Sequence, residues 1–231
     1  MIITLDAGHT KGVNQGSNKD YFEGTQMFYF SEHLRDALHQ LGHTVRLTRN
    51  KLSDNPSFDE RCRLAEGADL FLSLHSDWAG MDNAVLVFDD HNPKYANKQL
   101  ANNFAYTLAE YWGCKSKVVY RGYDDVWRQA PNASAKNYFA VLRGSYAKSN
   151  MLIELFNHRN ARACQLFMQA QTKRNIAELL TKAIQTHYRL PDSLSTAKYR
   201  VVSGSYSTQQ GAKDRVAELK SKGFDAWILK E

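Results

Sequence analysis

The 231-residue chain has only three cysteines, Cys62, Cys114 and Cys164. They lie far apart, are odd in number and form no C-x-x-C pair, which excludes a disulfide framework and a thiolate zinc site. They read as small apolar fillers in a reduced compartment. No apolar run approaches the roughly 20 residues that cross a bilayer, so membrane insertion is not expected. The N-terminus lacks a basic segment followed by an apolar one, so no cleaved signal peptide is expected and the chain is placed in the cytoplasm. H-E-x-x-H is also missing, which excludes the helix-borne zinc motif. Neither internal repeats nor low-complexity segments occur.

What is present is 43% hydrophobic residues, with 12 Tyr, 11 Phe and 4 Trp. That is enough for one sizeable core and a small second domain. The net charge is +6, half of it on the residues after 197. An excess of this size suits an anionic partner or simply keeps the chain soluble. A nucleic-acid partner is not expected, because there is no recognition helix or basic stripe.

The chain is organised around Ile2-Ile3-Thr4-Leu5-Asp6-Ala7-Gly8-His9-Thr10. An apolar, β-branched run there ends abruptly at a histidine, as a buried strand does at the carboxyl end of a sheet. A long polar loop, residues 10–21, follows. Glu23 then opens a helix to about Leu41, with Met27, Phe30, Leu34, Leu38 and Leu41 at three- and four-residue steps. Strands are expected over 43–48, 69–75, 84–88 and 150–156. Helices are expected over 58–67, 94–112 and 161–188. Residues 115–149 read as irregular, with extended pieces at 118–120 and 138–142. This order predicts an α/β fold: a mainly parallel twisted sheet covered by helices on both faces. Residues 1–188 form the main domain, 189–197 a polar linker, and 198–231 a small βαβ unit.

His9, Glu23 and His75 are ligand-type residues at strand ends or a helix start. Two imidazoles and a carboxylate leave a fourth zinc position open for water, the pattern of catalytic sites. Glu154, after three apolar residues, is placed to take a proton from that water. Asp77 reads either as a partner of His75 or substrate, or as a loop residue in water. His33, His39 and His43 are expected at the surface of the first helix. His91, His158 and His187 are expected in polar settings, with His158 notable for following Glu154 by four residues.

Asp-Ala-Gly-His9, Glu23, Arg61-x-x-x-Ala65 and Ala68-Asp-Leu-Phe-Leu-Ser-Leu-His75 together resemble the zinc-dependent N-acetylmuramoyl-L-alanine amidases of the amidase-3 type. Arg121-Gly122 and Val141-Leu-Arg143 before Met151-Leu-Ile-Glu154 fit as well. The resemblance covers roughly residues 1–188. It implies Zn²⁺ held by His9, Glu23 and His75, with Glu154 as acid/base. The implied reaction cleaves the amide between N-acetylmuramic acid and the L-alanine of the stem peptide. Arg121 and Arg143 read as binders of the acidic stem or as surface ion-pair partners. The sequence departs from the family pattern at Ala7, Thr10-Lys11, Asp77 and Leu155-Phe156-Asn157, and none of these removes a ligand.

The tail carries a second resemblance. Tyr199-Arg-Val-Val-Ser-Gly-Ser-Tyr206, Ala212, Val216, Leu219 and Lys222-Gly-Phe-Asp-Ala-Trp-Ile228 look like half of a SPOR-type peptidoglycan-binding module. Alternation puts Arg200 and Trp227 on the outer face, where they would meet the wall. A single copy leaves strand edges unpaired, which predicts a homodimer through residues 198–231. The expected function is a peptidoglycan hydrolase with a wall-binding tail. A phage endolysin, cytoplasmic until cytolysis and then wall-bound, fits first. A mother-cell-lysis autolysin comes next, and a non-catalytic wall-binding protein last.

Overall fold

The computed structural model describes residues 1–79, 83–132, 136–190, 204 and 206–222. The chain divides into two compact units, Met1–Leu194 and Ser195–Glu231. In chain order the first contains β1 (Ile2–Ala7), α1 (Glu23–Gln40), β2 (Thr44–Leu47), α2 (Phe58–Leu64), β3 (Leu70–Asp77), β4 (Ala84–Asp89), α3 (Lys98–Trp112), β5 (Lys115–Arg121), β6 (Trp127–Arg128), α4 (Ala140–Arg143), β7 (Asn150–Asn157), α5 (Ala161–Met168) and α6 (Ala170–Tyr188).

The strands form one seven-stranded sheet in the order β2-β1-β3-β7-β4-β5-β6. Strands β2, β1, β3 and β7 are parallel. Strand β4 runs antiparallel to β7, β5 follows β4 in parallel, and β6 turns back on β5. The sheet is therefore mixed, with its parallel half as expected. The reversal at β4 has a simple cause. Residues 78–83 are too few for the helical crossover that a further parallel strand requires.

Alternation along the strands divides the core. Leu70, Leu72 and Leu74 of β3, with Met151, Ile153 and Leu155 of β7, pack with α1, α3, α5 and α6. Phe71 and Leu152 face the other way, with Phe88, Val119, Val141 and Leu142. Each such fully buried side chain contributes about 1.5–3 kcal/mol. Helix α2 begins in a capping box, in which the Ser57 and Glu60 side chains each bond the other residue's backbone N–H. Within the segment 138–142, expected to be extended, the chain enters α4 at Ala140 instead, because a turn there seats Val141 and Leu142 against Phe71 and Leu152. His43, expected at the surface, is buried near the Met1 amine.

In the second unit the described helix is α7 (Gln209–Ser221), capped by the Thr208 hydroxyl on Gly211 N. The strands expected at 199–203 and 224–229, with Arg200 and Trp227, lie outside the described residues, as do the edges on which the expected dimer rests.

Candidate metal centre

Three elements deliver the ligand-type residues. Strand β1 ends at Ala7, level with Leu74 of β3, and Gly8 N donates to Leu74 O. His9 follows with φ 58°, a left-handed conformation costly for a residue with a Cβ. Arg61 of α2 holds this strand end. It donates to Asp6 Oδ1 at 2.6 Å, Ala7 O at 2.9 Å and His9 O at 3.3 Å. Asp6 also accepts the Thr48 and Ser73 hydroxyls at 2.7 Å each.

Glu23 is the first residue of α1. The preceding loop folds against it, with Glu23 N donating to Asn14 O and Gly24 N to Val13 O. Its buried carboxylate takes Ser76 N at 3.0 Å and the Asn14 amide at 2.9 Å. It also lies 2.9 Å from Nδ1 of His75 and 3.4 Å from Nε2 of His9. One ligand atom from each of His9, Glu23 and His75 falls within 4.8 Å of the others. The two imidazoles meet edge to face, with ring centroids 5.0 Å apart.

Glu154 pairs with His75 in the β3–β7 register. Its Oε2 is buried and has no hydrogen-bond partner among the described residues. Burial raises its pKa to about 8. The charge of His75 opposes this shift, and those of Glu23 and Asp77 add to it. Glu23 behaves oppositely. Burial alone would raise it, but the His75 hydrogen bond and the charges of both histidines hold it low. Burial likewise works against the charge on His75, and the hydrogen bond to Glu23 and its charge overcome it.

Behind the triad, Ser76 Oγ lies 2.7 Å from Tyr21 Oη and 2.8 Å from His158 Nδ1. The His158 ring stacks on Tyr21 and contacts Trp78, over which the Arg159 guanidinium sits at 5.3 Å. Asn14, Tyr21 and Ser76 were not singled out from sequence, since a loop Asn, a Tyr and a strand Ser have no distinctive spacing. His158, which was noted, is buried in this network.

Of the remaining expected residues, Asp77 ends β3 close enough for its charge to act on Glu154, and the two arginines are placed elsewhere. Asp77 Oδ1 accepts Ala79 N and makes no hydrogen bond to His75. Arg121 ends β5, which runs opposite to β3 and β7, so it lies at the far end of the sheet. There it pairs with Asp125 and stacks on Tyr138 at 3.5 Å. Arg143 lies over the Tyr123 ring and donates to the carbonyls of Asn137 and Tyr138. The structure brings neither arginine to the triad.

A family model of N-acetylmuramoyl-L-alanine amidases matches residues 3–186. The chain belongs to this family. Among solved structures it is similar to the catalytic domain of the amidase CwlV from Bacillus (Paenibacillus) polymyxa var. colistinus. The two are 19% identical with a TM-score of 0.67, and the match covers 82% of this chain and 99% of that one. The amidase AmiC2 of Nostoc punctiforme is 18% identical with a TM-score of 0.60, over 82% of this chain and 97% of its own. The catalytic domain of an endolysin targeting Clostridia difficile is 17% identical with a TM-score of 0.54, over 80% and 97%. The amidase fold is thus shared by bacterial enzymes and an endolysin. A search of curated proteins finds no match. A SPOR domain model matches residues 169–230, beginning upstream of the expected residue 198, at the N-cap of α6. No helix among the described residues is long and apolar enough to cross a membrane.

Proposed function

We propose that this peptidoglycan amidase holds one zinc ion through His9, Glu23 and His75 and uses Glu154 as its general acid/base. The observation that carries the reading is the convergence of two ring nitrogens and a carboxylate within 4.8 Å, beside a buried carboxylate oxygen without a partner. The donor set fits zinc. Tetrahedral bonds of about 2.0–2.1 Å place ligand atoms about 3.3 Å apart, and three protein ligands leave one position open. When bound, zinc lowers the pKa of water and polarises the scissile carbonyl.

The chain's own residues do the rest. Ser76 N and the Asn14 amide hold the Glu23 carboxylate in place. Arg61 fixes the strand end that carries His9. Glu154 takes a proton from the attacking water and passes it to the nitrogen of L-alanine as the amide bond breaks. The products are the lactyl carboxylate on the sugar and a free L-alanine amine on the peptide.

The SPOR match supports a wall-binding tail, and we place the enzyme on the wall as a lysin. Pairing of two chains through residues 198–231 is part of this proposal. A monomer by light scattering at micromolar concentration removes it.

The test is biochemical. Chelation should abolish wall hydrolysis, and His9→Ala should cut bound zinc. Glu154→Gln should keep zinc and lose turnover by roughly 10²–10⁴-fold. Muropeptide analysis should show new L-alanine amino termini and no new reducing sugars. Normal hydrolysis by the metal-free protein, or new reducing ends, would overturn the assignment.

A further inference from the structure

The sheet changes character from one row of side chains to the next at its catalytic end. Ser73, Leu152, Phe88 and Val119 stand in register across β3, β7, β4 and β5. All four are buried, and the last three pack with Val141 and Leu142 of α4. Two residues along each strand, the next row on the same face is His75, Glu154, Leu86 and Lys117, again in register. This row has come out from under α4. His75, Glu154 and Leu86 are half-buried, and Lys117 is exposed. A metal-site histidine, the acid/base, an apolar side chain and a cation thus stand side by side on one face. Neighbouring strands lie about 4.7–4.9 Å apart, so the backbones of Glu154 and Lys117 are about 10 Å apart.

The cation at the end of the row is held but not neutralised. Lys117 forms no ion pair among the described residues. Its Nζ lies 5.7 Å from the centroid of the Trp127 ring, within reach of a cation–π attraction. Trp127 packs in turn on Phe88 of the buried row, with centroids 5.5 Å apart. Arg121, further along β5, is already paired with Asp125. Lys117 therefore offers a positioned and unclaimed positive charge in line with Glu154.

The chemistry of the cut gives the row a direction. An acid that protonates a leaving nitrogen must stand within reach of it, on the leaving group's side of the metal. Glu154 lies between His75 and Leu86, so the nitrogen of L-alanine and the peptide behind it lie toward β4 and β5. Resting on the amidase reading with Glu154 as acid/base, we propose that the stem peptide runs along this row over Leu86, and that Lys117 takes its first carboxylate beyond the L-alanine. Leu86 gives the alanine methyl group an apolar floor. An extended chain advances about 3.3–3.6 Å per residue, so two or three residues bridge the distance to Lys117. The peptide arm carries free carboxylates. The glycan arm consists of N-acetylated sugars whose lactyl acid is tied up in the amide, and it gives an ammonium no ion to pair with. Lys117 acts on substrate capture and specificity, so its loss is read in KM.

The experiment uses the full-length zinc enzyme and soluble peptidoglycan fragments whose amines have been acetylated, so that each new amine reports one cut. One batch keeps its stem carboxylates, and in the other they are amidated with ammonia and a carbodiimide. Wild type must first release L-alanine amino termini from the first batch; if it does not, the amidase reading itself fails. Lys117→Glu should then raise KM on that batch about tenfold, with the fall in kcat/KM carried by KM and with zinc content as in wild type. Lys117→Gln should show a smaller rise, and Lys117→Arg, which keeps the charge, should restore a KM near that of wild type. Wild type should show a raised KM on the amidated batch, and Lys117→Glu should lose nothing more there. Equal KM for wild type and Lys117→Glu on the carboxylate batch overturns the proposal. So does an equal rise for that variant on both batches, which would mean that Lys117 does not read a carboxylate.

Discussion

A Cβ on residue 8 would lie 2.4 Å from Cε1 of His75 and 2.6 Å from both of its ring nitrogens. Gly8 and the His75 imidazole thus occupy adjoining space, and only a residue without a side chain lets the ring stand where Glu23 meets it.

Gly8→Ala should therefore displace the His75 ring while the sheet around it survives. Changes that misplace a ligand typically cost 10–100-fold in metal affinity. The check is a zinc titration of the variant beside wild type, with circular dichroism as the fold control. An unchanged zinc affinity would show that the ring has room to move.

Arg61 should be a stability residue as much as a site residue. Its guanidinium and the Asp6 carboxylate are both buried, and Asp6 is further held by Thr48 and Ser73. Removing one partner of a buried pair leaves an uncompensated charge and costs about 3–5 kcal/mol. Arg61→Ala should lose stability of that order in urea denaturation, along with bound zinc, because the carbonyls of Ala7 and His9 lose their donor. A loss below about 1 kcal/mol, the level of an exposed pair, would contradict this.

The convergence of the triad and Glu154 was legible because each of these residues sits where local pattern changes. The apolar run of β1 ends before His9, the helical period of α1 begins at Glu23, His75 closes the apolar run of β3, and Glu154 interrupts that of β7. The fate of Arg121 and Arg143 was not legible, because it depends on the direction of β4. Strand β7 is inserted between β3 and β4, so Phe88 pairs with Leu152, 64 residues later, and no local pattern announces such a pairing. Segment 138–142 misled through its local composition, which tertiary packing of Val141 and Leu142 overrides.

Lys173 gives a pH test at a buried group outside the triad. It is buried, donates to the carbonyls of Phe167 and Met168, and has no ion-pair partner among the described residues. Burial lowers its pKa to about 8. A lysine whose folded pKa is depressed binds fewer protons folded than unfolded between about 8 and its ordinary value of about 10.4. Stability from this group therefore rises with pH across that window and is flat below it. Denaturant midpoints of wild type and Lys173→Met should diverge in favour of wild type as pH climbs from 8 to 10. Parallel profiles would mean that Lys173 keeps its ordinary pKa.

The two family matches overlap on residues 169–186, and the packing decides which unit owns them. Helix α6 buries Ile176, Leu180 and Ile184 completely in the core that also holds Phe30 of α1 and Phe104 of α3. Three such side chains are worth about 5–9 kcal/mol, comparable with the whole stability of about 5–15 kcal/mol expected for a domain. A chain cut after residue 190 keeps all of them and should melt cooperatively, bind zinc and cleave soluble muropeptides, while its retention on sacculi falls. A chain cut after residue 168, at the start of the SPOR match, exposes the faces of α1 and α3 that α6 covers and should be unfolded or insoluble. Thermal melts and co-sedimentation with sacculi read both outcomes. A cooperative melt from the shorter chain would assign α6 to the tail and move the domain boundary upstream.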